Sequence, residues 1–288
     1  MKILVIHPFP EAGGGAEIQL YRNLLCFQEL NYSITLVSLF KIEKESIYKI
    51  AESCNIHIKH IIIKSFFPFK NLNLAGFPKL LGYSLVLNYA KKIAYKYDLI
   101  HTIMGKCTIK HKKVIQHFCI PLFSIKKENL EFLGFFPKNK SEEIIRIIYI
   151  FLCRLIANYN LKIISQNISL ANSKWTANVV KKEYQKIKKI EHIYFWPKSY
   201  LRRNFILRPF LEREARIVML GRIVKSKNYK FGIKLINYLI KKGLYYKLTI
   251  IGRSNTNFSS ELYSEFKEDQ NIDFIFDAKR EYILDYCS

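Results

Sequence analysis

The chain has 288 residues, of which 50% are hydrophobic and 24% charged. That length suits two ordinary domains of ~100–200 residues each, and the composition excludes a largely disordered or collagen-like chain. Lys+Arg number 47 against 23 Asp+Glu, for a net charge of +24, which attracts nucleic acid, anionic lipid headgroups or phosphorylated substrates. The lysines are spread along the whole sequence rather than gathered in one tail, a pattern that an A/T-biased genome also produces.

Six cysteines (Cys26, Cys54, Cys107, Cys119, Cys153, Cys287) make no C-x-x-C pair and no Cys/His spacing suited to zinc. Reduced thiols in a cytoplasmic protein are expected. Residues 1–6 are too short an apolar run for a signal peptide. The most apolar stretch, 144–157, is broken by Arg146 and Arg154. The chain is therefore expected to lie on a membrane if it meets one, not to cross it.

In chain order, residues 2–6 read as a buried parallel strand, Gly13-Gly14-Gly15 as a turn, and 17–30 as a helix with Ile18, Tyr21, Leu24 and Leu25 on one face. Strands follow at 34–39 and 56–63, a Pro/Phe-rich irregular stretch at 66–78, and an amphipathic basic helix at 80–97. Then come a strand at 98–103, a helix at 110–117, strands at 121–125 and 168–171, and between them a helix at 142–158. Asn172-Ser173 supply capping residues for a helix over 174–189. Alternation of this kind implies a parallel sheet covered on both faces.

Residues 1–197 form the first expected domain, 198–214 a linker, and 215–288 a second domain. In the latter, a strand at 216–220 precedes a polar turn at 221–228. A helix over 229–242 is expected to bury Phe231, Leu235, Tyr238 and Leu239. A strand at 247–251, a helix at 261–268 and a strand at 273–276 complete it. The expected fold class is α/β with two Rossmann-like domains, the second incomplete.

Two loops offer chemistry. Gly13-Gly14-Gly15 between strand and helix lets backbone N–H groups approach a phosphate, with the helix N-terminus adding favourable potential. It fits neither G-x-G-x-x-G nor the P-loop pattern, and taken alone it reads first as a plain tight turn. The second loop, Gly221-Arg222-Ile223-Val224-Lys225-Ser226-Lys227-Asn228, pairs a guanidinium fork with a nearby ammonium at a helix start, a natural diphosphate clamp. A solvated basic loop is the alternative.

Taken together, these pieces resemble the retaining family four of GT-B glycosyltransferases. Residues 1–38 resemble its strand, GG-x-E turn and long helix, and Asp98-Leu99-Ile100-His101-Thr102 its "D-hydrophobic-I-H" strand. Residues 170–184 (LANSKWTANVVKKEY) look like its "aNS" segment. Residues 217–228 (IVMLGRIVKSKN) are similar to its "GR…KN" signature, and 247–252 (KLTIIG) to its following strand.

The resemblance implies transfer of a sugar from a nucleotide-sugar donor to a glycan or lipid-linked acceptor in cell-surface polysaccharide synthesis. Arg222 and Lys227 would hold the donor diphosphate, and Gly14 and Gly15 would face the same phosphates. No cofactor and no metal are expected, and no nucleic acid. Where the family carries a histidine near the reacting sugar, this sequence reads Lys126-Lys127-Glu128, so the candidate catalytic groups are Lys127 and His101. His101 also reads as a structural histidine at a strand end.

The E-x(7)-E glutamates of the family find no counterpart; Glu281 and Asp285 come too early. A chain truncated at its C-terminus is expected on this ground, with an inactive basic binding domain as the alternative function. A nucleotide-sugar epimerase of the same shape is a further alternative, but it calls for an acidic, histidine-rich cleft that this sequence does not display. Finally, the basic and aromatic stretch 64–96, with Phe66, Phe67, Phe69 and Phe77 among its lysines, suits peripheral docking on the inner face of an anionic membrane. Core aromatics beside solvated lysines give the same pattern.

Overall fold

The structure, a computed structural model, describes residues 1–12, 14–70, 79–119, 122–124, 139–187, 189–194, 209, 212–253, 257–278 and 283. The chain divides into two compact units, Met1–Leu201 and Arg202–Ser288.

The first unit opens with β1 (Lys2–Ile6), α1 (Gly15–Glu29), β2 (Ser33–Ser38), α2 (Lys44–Glu52), β3 (Ile61–Ser65), α3 (Lys79–Ile93) and β4 (Leu99–Thr102). It continues through β5 (Val114–Phe118), α4 (Lys140–Ile156), α5 (Leu161–Gln166), β6 (Ile168–Ala171), α6 (Lys174–Glu183) and β7 (Ile190–His192). The seven strands pair in the order β3-β2-β1-β4-β5-β6-β7, every neighbour parallel. This is the Rossmann order 3-2-1-4-5-6 extended by one strand.

The alternation of side chains along β1 explains why both faces are covered. Ile3 and Val5 pack with Leu20, Tyr21 and Leu24 of α1, while Leu4 and Ile6 pack on the other face with Tyr83, Val86 and Leu87 of α3. Each such side chain, removed from water, contributes about 1.5–3 kcal/mol. A central strand with polar alternation would leave one helix layer without a partner. The cap anticipated before α6 is present, the Ser173 hydroxyl accepting from the Thr176 amide at 3.1 Å.

Several elements differ from expectation. Residues 110–117 do not form a helix; Val114–Phe118 is β5, between β4 and β6. Its polar Gln116 is fully buried, with its carboxamide bonded to Cys107 N, Ile164 O and Ser169 Oγ. Such partners come from distant parts of the chain, so a lone Gln disguises a core strand as a polar one. Leu122–Ser124 form a turn and not a strand. The third strand starts at Ile61 instead of 56, and α2 had not been anticipated.

Most of the Phe66–Phe69 aromatics also turn inward. Phe66 and Phe67 pack on the core, and Phe67 stacks on Phe40 with centroids 5.4 Å apart. Phe77 lies outside the described residues.

The second unit contains β8 (Arg216–Leu220), α7 (Tyr229–Lys241), β9 (Lys247–Gly252), α8 (Asn257–Phe266) and β10 (Ile272–Phe276). Its parallel sheet runs β10-β9-β8, the 3-2-1 start seen in the first unit. The inward face of α7 is Tyr229, Gly232, Ile233 and Ile236. Of the residues expected to be buried, Phe231 and Tyr238 are exposed and Leu235 and Leu239 only partly buried.

Candidate functional site

In the second unit the carboxyl ends of the strands carry the cationic loop. Gly221, directly after β8, has φ +148, a conformation that side-chain-bearing residues rarely adopt. Its amide donates to Ile251 O at 3.0 Å, and its own carbonyl accepts from the Tyr229 hydroxyl at 2.9 Å. Ile223 is fully buried and anchors the middle of the loop. A 3₁₀ turn over Lys225–Lys227 follows, and Asn228, at φ 52, starts α7 in the left-handed region that Asn tolerates.

This fixed loop turns Arg222, Lys225 and Lys227 outward, all exposed. The Lys227 Cε lies within 3.9 Å of where a β-carbon on Gly221 would stand, so its side chain runs back over the glycine. Arg253 follows β9 on the same edge of the sheet and is exposed as well. It was not anticipated, although it occupies the position after a strand-ending glycine, as Arg222 does.

Charge is arranged differently at the two ends of this sheet. At the amino end, Arg216 pairs with Glu214 at 2.7 Å and Asp273 at 3.1 Å. On the flank of α7, Lys230 pairs with Glu265 at 3.1 Å. At the carboxyl end, Arg222, Lys225 and Lys227 have no carboxylate partner among the described residues. Cations without a carboxylate partner near a helix N-terminus are chemically suited to a polyanionic group.

In the first unit, the order β2-β1-β4 puts the switch point between β1 and β4, beside the β1–α1 loop. Gly14 caps α1, and its amide donates to Glu17 Oε2 at 2.7 Å. The helix N-terminus thus already holds a carboxylate of its own. Gly15 has nothing within 4 Å of its would-be β-carbon and stays open. His7, also unanticipated, is fully buried with Nε2 at 3.3 Å from Glu17 Oε1, outside hydrogen-bonding geometry. Burial, reinforced by the charge of Lys79, pushes its pKa down to about 3, so the imidazole is neutral.

His101 lies inside the fold and away from any rim. It is 2% exposed beneath α1, with Nε2 2.9 Å from Asn23 Nδ2 and its ring edge-on to Phe27. Burial, with His117 nearby, lowers its pKa to about 3. Lys127 lies outside the described residues. Among the described residues no cluster of His, Cys, Asp and Glu could hold a metal ion.

Another unanticipated group is Lys106, fully buried beyond β4. Its Nζ is 3.8 Å from the Tyr184 ring centroid, 4.6 Å from that of Tyr159 and 5.1 Å from that of Phe123. Burial and the Arg154 charge push its pKa well below the ordinary lysine range, with Glu183 opposing.

The overall architecture has solved counterparts. A UDP-GlcNAc 2-epimerase from Neisseria meningitidis bound to UDP-GlcNAc matches with a TM-score of 0.52 at 12% identity, over 99% of this chain and 75% of that one. The fold is GT-B. The Methanocaldococcus jannaschii UDP-GlcNAc 2-epimerase in complex with UDP-GlcNAc and UDP gives a TM-score of 0.43 at 14% identity, over 99% and 76%. The glycotransferase of kitacinnamycin gives 0.39 at 11%, over 95% and 70%. No protein-family model and no curated protein matches the sequence. No helix among the described residues is long and apolar enough to cross a membrane.

Proposed function

We propose that the chain binds a nucleoside-diphosphate sugar at the 221–228 loop and transfers the sugar, with retention, to a glycan or lipid-linked acceptor in cell-surface polysaccharide synthesis. The observation that carries this reading is the rigid rim of unpaired cations, Arg222 and Lys227 above all, at the carboxyl end of β8. As the bond from the anomeric carbon to the diphosphate oxygen breaks, that oxygen gains negative charge. A guanidinium fork and an ammonium carried on this loop stabilise that charge.

The acceptor hydroxyl forms its new bond to the anomeric carbon on the face the diphosphate leaves. Its proton passes to the departing phosphate oxygen. No pair of carboxylates is needed for this route, in contrast to glycoside hydrolysis. On the resemblance, Gly14 and Gly15 are further candidates for contact with the donor diphosphate. On the resemblance, Lys127 supplies a further cation to the reaction, and His101 contributes by packing under α1. No cofactor or metal enters the reaction, and the protein works in the cytoplasm, peripheral to the membrane.

The Neisseria likeness favours a second reading, 2-epimerisation of a UDP-sugar. The two separate in one experiment, in which the chain is incubated with a panel of nucleoside-diphosphate sugars, with and without glycan and lipid-linked acceptors, and the products are read by NMR. Diphosphate release that requires acceptor supports transfer. A sugar changed at C2 without acceptor supports epimerisation. Absence of nucleoside-diphosphate binding in calorimetry overturns both and leaves a basic binding domain.

A further inference from the structure

The helix α4 is apolar on both sides. Its inner side packs on α3 through Ile150 and Cys153, and the Tyr149 hydroxyl accepts from the Leu81 amide at 3.0 Å. On the opposite side, Ile144, Ile145, Ile148, Phe151, Leu152 and Leu155 are each 51–65% exposed. The helix's two arginines do not interrupt this outer face: Arg154 Nη2 donates to Phe123 O at 2.6 Å, and Arg146 stacks over Tyr149. Its acidic residues, Glu142 and Glu143, are confined to the first turn.

A contiguous exposed apolar patch of this kind marks an interaction surface. Charge decides which occupant fits. The chain carries +24, so laying two copies face to face brings like charges together. An anionic bilayer instead gains about 1 kcal/mol for each Lys or Arg near its surface. Lys140, exposed, opens the helix. With 17 residues, the helix is ~26 Å long, short of a bilayer core of ~30 Å.

We propose that the outer face of α4 lies in the interfacial layer of an anionic membrane, with Ile148 and Phe151 at the centre of the contact. This places the docking surface on α4 instead of the 64–96 stretch, and it is independent of the reaction proposed above because it is read without substrate.

The full chain is tested by co-sedimentation with vesicles of 70% phosphatidylcholine and 30% phosphatidylglycerol, and with pure phosphatidylcholine. The expected result is binding to the anionic vesicles that falls about tenfold or more in Ile148→Glu/Phe151→Glu, since each buried methylene contributes about 0.8 kcal/mol to partitioning. Phe231→Glu on exposed α7 should bind as the wild type does. Should the double variant fail to fold, Phe151→Trp keeps the question open to measurement: vesicles with brominated acyl chains should quench its fluorescence beyond that of the wild type. Three results overturn the proposal: no vesicle binding by the wild type, undiminished binding or no added quenching in the variants, or a wild-type dimer in sedimentation velocity that Ile148→Glu/Phe151→Glu makes monomeric.

Discussion

The carbonyl oxygen of Gly221 lies against the α-carbon of Gly252, closer than any β-carbon at residue 252 could tolerate. The contact is backbone on backbone, and Ile223 Cγ1 closes the same space at 2.9 Å. The ends of β8 and β9 are therefore pinned together just where the cationic loop begins. Gly252→Ala should displace the Gly221 carbonyl and break its bond from the Tyr229 hydroxyl. We expect a loss of about 1–3 kcal/mol in urea unfolding, together with weaker binding of the proposed nucleoside diphosphate. Tyr229→Phe, which removes only the hydroxyl, should cost about 1 kcal/mol. Gly252→Ala with wild-type stability would show that the contact yields easily.

The clamp itself is tested by charge removal. Arg222→Ala and Lys227→Ala should each weaken nucleoside-diphosphate binding by about 10–100-fold, the equivalent of one charge-assisted hydrogen bond of ~1.5–3 kcal/mol. Arg222→Lys should recover only part of the loss, because an ammonium lacks the fork. Lys230→Ala is the control: Lys230 is already paired with Glu265, so affinity should not move. If calorimetry gives wild-type affinity for both alanine variants, the diphosphate assignment fails.

These two loops show how much of the molecule could be read in advance. Strands at 168–171 and 216–220 were legible to the residue, because β-branched and aliphatic runs ended at Asn or Gly. The setting of Arg222 and Lys227, between a strand, a glycine and a helix start, was legible too, since those signals are all local. Strand β5 was not, because Gln116 is satisfied by partners 9, 48 and 53 residues away. Large aromatics misled at α7: Phe231 and Tyr238 are outside, while Tyr229 turns inward to reach Gly221. Lys106 had no signature either, since its three rings come from residues 123, 159 and 184.

Glu17 offers a test of the first unit's glycine turn. Its carboxylate caps Gly14 at 2.7 Å and places negative charge at the start of α1. Glu17→Gln keeps an acceptor for the Gly14 amide but removes that charge. If donor phosphates approach Gly15, the variant should bind the nucleoside diphosphate about two- to fivefold more tightly, matching the ~0.3–1 kcal/mol a charge contributes at a helix end. A small stability loss of the same size should accompany it in thermal unfolding. Unchanged nucleoside-diphosphate affinity would count against Gly14 and Gly15 as donor contacts.

The buried Lys106 makes stability depend on pH. Unfolded, its amine holds a proton up to about pH 10.4; folded, burial and Arg154 make it release that proton at lower pH. Between the two values the unfolded chain binds the extra proton, so folding strengthens as pH rises, by at most about 1.4 kcal/mol per unit. Below the depressed value the penalty is complete and constant; above the ordinary lysine pKa it has vanished. Tyr159, Tyr184 and Glu183 face the same space, and their rings and charge offset part of the cost. Lys106→Met, of similar volume, removes the titration. Urea unfolding of both proteins across pH 6–10 should find the variant more stable near neutrality, by about 1–4 kcal/mol. The wild type should close that gap as pH increases. A gap independent of pH would mean that the three rings hold the ammonium charged throughout, and that the cage around Lys106 stabilises the cation as well as water does.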